Sequence, residues 1–217
     1  MTDALPRSAE ICRLHDRLLA EPGWPPREPA TGAAAAPDST WRWIERNHRF
    51  NSLLWAEEDL ARRTRVTDTE IAANKRAIDG FNQARNDATE RVDEALLLAL
   101  GLVDEASARS DAPQSHAGAA ARLHSETAGA MIDRLSILAL KVQAMRAQTQ
   151  RTDVDAAHRT ASTQRLARLQ EQRADLAACL DTLLDDAGAG LAYFKVYRQF
   201  KMYNDPRFNP ALVQEQR

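Results

Sequence analysis

Apolar residues fall at helical spacing over one short stretch and four long ones. Residues 4–20 carry Ile11, Leu14, Leu18 and Leu19 at that period, and Glu21-Pro22-Gly23 ends the run. Pro22–Pro37 is rich in Pro and Ala, has no apolar period and reads as a mobile loop. Asp38 and Ser39 supply an N-cap for a helix reaching about Arg63. Thr67-x-x-Glu70 behind Val66 is a capping box, and it opens a helix predicted over 68–104 with Ile71, Ile78, Phe81, Val92 and Leu96 on one face and a break near Gly101. Ser107–Leu123 carries no apolar stripe and reads as a partly disordered surface connection.

Ser125-Glu126-Thr127 starts the next helix, to about residue 150. Its apolar face of Ile132, Leu135, Leu138, Val142 and Met145 is broad enough to predict a central position in the core. A last long helix over about 154–186 sets Leu166, Leu169, Leu176, Leu180 and Leu183 at heptad spacing, and Gly188 and Gly190 end it. Tyr193–Tyr203 interleaves aromatic and basic residues and reads as a helix docked on the bundle or as a surface for a nucleotide, a sugar phosphate or a single strand. Phe208–Arg217 is a terminal arm. Together these predict a single all-α domain, 1–217. Its core is an antiparallel bundle of four helices, with a short N-terminal helix and an aromatic, basic C-terminal helix outside it.

Composition agrees: 8 Gly and 9 Pro in 217 residues leave two long proline-free stretches and exclude a sandwich or barrel. A net charge of -2 supplies no global field for nucleic acid or an acidic membrane. Cys12 and Cys179 form no disulfide framework. The longest apolar run, Ala95–Leu100, is too short to span a membrane, and the N-terminus lacks a signal peptide's layout. A cytoplasmic protein is expected. The heptad seam predicts a homodimer.

Polar stripes carry the candidate chemistry. Asn47, Asn51, Trp55, Glu58 and Arg62 follow at intervals of three or four and share one helix face; Lys75, Asp79, Asn82, Asn86 and Glu90 share another. Asp133 and Ser136, with Arg134 and Lys141, border the Ile132–Leu135 core. Asparagine is a poor mid-helix residue, so these amides need partners, either as a closed network between helices or as the wall of a polar pocket. In a pocket, Glu57, Glu58 and Asp79 would suit a divalent cation such as magnesium, with Glu58 and Asp79 as catalytic carboxylates. Arg62, Lys75, Arg85, Arg134 and Lys141 would meet phosphate oxygens. No nucleophile motif is present, and the five histidines are scattered, with His48 alone near a stripe.

Three blocks resemble a known family. They are Phe50-Asn51-x-x-Leu54-Trp55-x-Glu57-Glu58-Asp59-x-Ala61-Arg62, Lys75-Arg76-x-Ile78-Asp79-x-x-Asn82-Gln83-x-Arg85-Asn86-Asp87, and Glu126-Thr127-x-Gly129-x-Met131-Ile132-Asp133-Arg134-Leu135-Ser136 continuing to Lys141. With Lys195–Pro206 they resemble the bacterial and phage domain-of-unknown-function family number 4254. The resemblance implies a helical protein with no assigned catalytic residues, often encoded near glycosyltransferases of lipopolysaccharide or other surface polysaccharides. Relatives often carry His where this chain has Ala56, so no metal-ligand role transfers there. A fainter likeness joins Glu57-Glu58 and Asp79-x-x-Asn82 to the all-α nucleoside triphosphate pyrophosphohydrolases, although Ala61 stands in place of their third glutamate. The expected function is binding of a phosphorylated sugar or nucleotide sugar in surface-polysaccharide assembly. The alternatives are a metal-dependent nucleotide hydrolase and a non-enzymatic interaction module.

Overall fold

The computed structural model describes residues 5–26, 39–199 and 205–215. The elements are α1 (Ser8–Ala20), α2 (Thr40–Leu60), α3 (Asp68–Ala99), α4 (Glu105–Ala108), β1 (Arg122–Leu123), α5 (Ala128–Thr149), α6 (Ala156–Gly188), β2 (Ala192–Tyr193) and α7 (Pro210–Glu215). The all-α expectation holds. Most of the Pro22–Pro37 loop, from residue 27 on, lies outside the described residues, as do Phe200–Asn204.

Capping sets the helix starts where the sequence places them. Ser39 accepts from the Arg42 amide, Thr127 from Ala130, and Asp155 from His158. Thr67 and Glu70 form the reciprocal capping box of α3. This helix stops at Ala99, a few residues short of the expected end, because Gly101 takes the left-handed conformation at φ 66° and turns the chain away.

α5 is the hub. It packs on α1, α2, α3 and α6, and it buries Met131, Ile132, Leu135, Ala139, Leu140 and Val142. Burial of one such Leu or Ile stabilises the fold by about 1.5–3 kcal/mol. The seven residues between α2 and α3 and the six between α5 and α6 are short, so each pair runs antiparallel. The four long helices do not form a closed ring, however. α6 packs on α5, α1 and β2, and its backbone does not approach α2 or α3. Two three-helix groups, α2/α3/α5 and α1/α5/α6, share α5, and an open trough runs along its uncovered face.

The Ser107–Leu123 connection carries no helix or strand between the end of α4 and β1, which pairs in parallel with β2 through Arg122↔Ala192 and Leu123↔Tyr193. One expectation needs correction. The aromatic and basic segment is not a helix over 193–199. Ala192, Phe194 and Val196 are buried while Tyr197 is exposed, an alternation of period two that an extended chain satisfies and a helix does not. Arg198 then fixes the strand's continuation, donating to Glu90 (2.9 Å) and Glu94 (2.5 Å) of α3 and to the carbonyls of Ala108 and Ser110. The terminal arm contains the six-residue α7.

Candidate functional site

Where α5 crosses α2 and α3, the polar stripes meet. Asn47 Nδ2 donates to Asp133 Oδ1 (2.8 Å) and Thr89 Oγ1 (3.0 Å). Asn51 Nδ2, one turn on, reaches Asp133 Oδ1 (2.9 Å), Ser136 Oγ (3.0 Å) and Asn47 Oδ1 (3.2 Å). Arg85 approaches Asp133 Oδ2 at 3.5 Å and donates to Asn86 Oδ1 at 2.8 Å. Ser136 Oγ also lies 2.8 Å from His48 Nδ1. Since Ser136 accepts from Asn51, its own proton is free to go to a neutral imidazole. Burial, reinforced by the positive charge of Arg173, pushes His48 down to about 3. His48 stacks on His15 (centroids 4.4 Å apart), which burial likewise holds far below its ordinary value, and on Trp24 (5.6 Å). This part of the stripes is an internal network, in which Arg85 Nε and both ring nitrogens of the neighbouring His15 stay buried without a hydrogen-bond partner among the described residues.

A buried carboxylate, Asp93 of α3, faces the start of α5. Gly129 N–H donates to Asp93 Oδ1 at 2.6 Å, and a side chain on Gly129 would stand 2.7 Å from the Thr89 carbonyl and 2.8 Å from the Asp93 carboxyl. Only glycine lets α5 approach α3 this closely. Burial pushes Asp93 up to about 7, outweighing its hydrogen bonds from Thr127 and Gly129.

Beyond the crossing, the stripes open into the trough. A cleft of about 320 Å³ is lined by Asn51, Trp55, Glu58, Arg62, Asn82 and Arg85, with Leu54, Asp59, Ile137 and Leu140. Trp55 also walls a neighbouring groove of about 450 Å³, formed with Lys141, Ala144, Met145 and Gln148 of α5 and Arg165, Arg168 and Leu169 of α6. Lys141 and Ile137 connect these to a hollow of about 710 Å³ that holds Arg134, His124, Glu126 and Asp175.

The predicted site residues divide accordingly. Asn47, Asn51, Arg85 and Asp133 are brought together. Trp55, Glu58, Arg62 and Asn82 join them around the cleft, and Asn86 turns to the C-terminal strand, donating to Gln199 at 2.8 Å. Arg134 is paired with Glu126 at 2.5 Å, Arg62 with Glu58 at 2.8 Å, and Lys75 with Asp79 at 2.6 Å, the last on open surface. The three carboxylates considered for a metal engage different partners: Glu57 is buried and accepts from Asn74 at 2.7 Å, Glu58 holds Arg62, and Asp79 holds Lys75. Among the described residues no three His, Cys, Asp or Glu side chains are grouped as metal ligands.

Of the five cations expected to meet phosphate, Lys141 alone has no hydrogen bond or ion pair with a described residue, and Arg165 and Arg168 across the groove share that state. Sequence reasoning missed both arginines. They sit on α6, which carries no asparagine to mark a polar stripe. The three-residue spacing of Arg165 and Arg168, beside Leu169 of the seam, was the available signal. The Asn82 amide likewise makes no side-chain hydrogen bond with a described residue, and Arg85 Nε is buried without a partner.

No helix among the described residues is long and apolar enough to cross a membrane. No curated protein and no solved structure matches the chain. A family model does match, over residues 41–196, a span that contains the crossing, the trough and the strand pair, and the chain therefore belongs to the family described as protein of unknown function, DUF4254.

Proposed function

We propose that this protein binds a phosphorylated sugar or nucleotide sugar in the trough over α5, in the service of surface-polysaccharide assembly as the family resemblance suggests. One observation carries the binding reading: four polar groups flanking Trp55 make no side-chain hydrogen bond or ion pair with a described residue. Asn82 lies on the cleft side, and Lys141, Arg165 and Arg168 lie on the groove side. An aromatic face between amides and cations suits a sugar ring with a phosphate at one end. The internal network behind it holds Asn51 and Arg85 in place. A thermal-shift screen against sugar phosphates and nucleotide sugars, with and without magnesium, tests this. A ligand at 100 times its Kd should raise Tm by about 5–10 °C, and Lys141→Ala or Asn82→Ala should abolish the rise. A flat screen with both variants folded would refute it. Magnesium-dependent release of phosphate would instead favour the hydrolase, which requires Glu57, Glu58 and Asp79 to leave their present partners.

A second reading, a dimerisation module, is favoured by the seam of α6. Leu176, Leu180 and Leu183 are buried in the core, whereas Leu166 and Leu169 of the same seam stay partly exposed. Sedimentation of the wild type and of Leu166→Lys, with loss of a dimer in the variant, tests this.

A further inference from the structure

The groove beside Trp55 differs in kind from the cleft on its other side. Its floor is Ala144, Met145 and Leu169 with the Trp55 ring, and its rim is Lys141, Arg165 and Arg168; no acidic residue lines it. By contrast the cleft contains Glu58 and Asp59. A free sugar phosphate would use the cleft, Trp55 and the cations, and would leave the apolar floor bare. Exposed apolar floors inside a cationic rim fit ligands that bring both an anion and a hydrocarbon.

We infer that the ligand is an amphiphile, a phosphate ester bearing an apolar chain. Its phosphate sits among Lys141, Arg165 and Arg168, its chain lies on Ala144, Met145 and Leu169, and its polar head passes Trp55 toward Asn82. The inference rests on the sugar-phosphate reading for the direction of the head. The volume of about 450 Å³ is that of a small-ligand site and admits a single chain. The charge favours an anion: three cations unpaired among the described residues and no carboxylate. An acidic amphipathic peptide helix is the competing occupant. The separate polar cleft on the far side of Trp55, which such a helix has no use for, argues against it.

Calorimetric titration of the full chain with methyl phosphate, monomeric decyl phosphate, decanol and glucose 1-phosphate tests this. Decyl phosphate should bind at least about 30-fold tighter than methyl phosphate, the gain from burying two or three methylenes. Ala144→Trp, which fills the groove from α5, should remove that gain. The exposed double variant Arg165→Ala/Arg168→Ala, which leaves the core untouched, should weaken decyl phosphate at least about tenfold without altering decanol. Equal affinities for methyl and decyl phosphate overturn the inference, as does decanol binding as tightly as decyl phosphate. Capture of an acidic amphipathic peptide with no response to decyl phosphate also overturns it, in favour of a protein partner. Binding of decyl phosphate, sensitive to both variants, with none of glucose 1-phosphate supports the amphiphile and refutes the sugar reading alone.

Discussion

The two halves of the α2 stripe make opposite use of the same pattern. Asn47 and Asn51 lie under α5 at 1% and 4% exposure and are bonded to Asp133, Ser136 and Thr89. Trp55, Glu58 and Arg62 continue the same face past the crossing, into the trough, where among the described residues Glu58 and Arg62 bond only to each other. Helical spacing determines which residues share a face. How far along that face a neighbour covers it depends on where α5 crosses, and that coverage separates structural amides from groups available to a ligand. The covered half should therefore govern stability, and the open half should govern binding while scarcely affecting stability.

The largest expected effect is at the centre of the covered half. Asp133→Ala removes the acceptor shared by Asn47 and Asn51 and leaves Arg85, whose side chain is 24% exposed, without its counter-charge. Loss of one partner of a buried polar network costs about 3–5 kcal/mol, so denaturant unfolding should show a loss in that range. An effect under about 1 kcal/mol would show that the network is replaceable by water and that the two halves are alike. Gly129→Ala comes next. Its added methyl would meet backbone at Thr89 O, which cannot step aside as a side chain can, so a destabilisation of about 1–3 kcal/mol is expected.

Much of this was legible in the sequence. Caps at Ser39, Thr67 and Thr127, the central α5 and the shared stripes all follow from spacing, because helix caps and period are local properties. Two things were not local. The extended run at Ala192–Gln199 is held by Glu90, Glu94 and its pairing with β1, all remote in sequence, and its alternation was masked by residues that also suit a helix face. The open side of the bundle depends on where α6 leans, and heptad leucines do not reveal that. Glu57 reads from sequence as a candidate cation ligand beside Glu58, yet it points inward to Asn74, since adjacent helix positions face about 100° apart.

Acid should also act through the covered half, by two opposed routes. Unfolded histidines take up protons near pH 6.5, but His48 at about 3 and His15, also far below 6.5, do not, so their contribution to stability is lost as pH falls below about 6.5. Asp93 runs the other way. Its folded value of about 7 exceeds the ordinary 3.8, so its contribution is full below about pH 4 and is lost as pH rises through 7. In the window between 4 and 6.5 the native Asp93 proton partly offsets the histidines. Asp93→Asn keeps the shape and removes this offset, so the loss of stability from pH 6.5 to 4.5 should steepen by about 1 kcal/mol per pH unit. A slope unchanged from wild type would mean that Asp93 is already ionised in the folded protein.

The smallest effects belong to the open half. Lys75 and Asp79, 66% and 60% exposed, form an i,i+4 pair in water, and Arg62 with Glu58 resembles it at 69% and 46%. Such pairs contribute about 0.5 kcal/mol or less, because solvent screens the charges and ordering two long side chains opposes the gain. Asp79→Asn and Glu58→Gln should each leave unfolding free energy within about 0.5 kcal/mol of wild type. They should differ in ligand response, since Glu58 lines the cleft and Asp79 does not. If Asp79→Asn weakened the response to sugar phosphates as much as Glu58→Gln did, the site would have to extend along α3 beyond the trough, and the boundary drawn at Trp55 and Asn82 would be wrong.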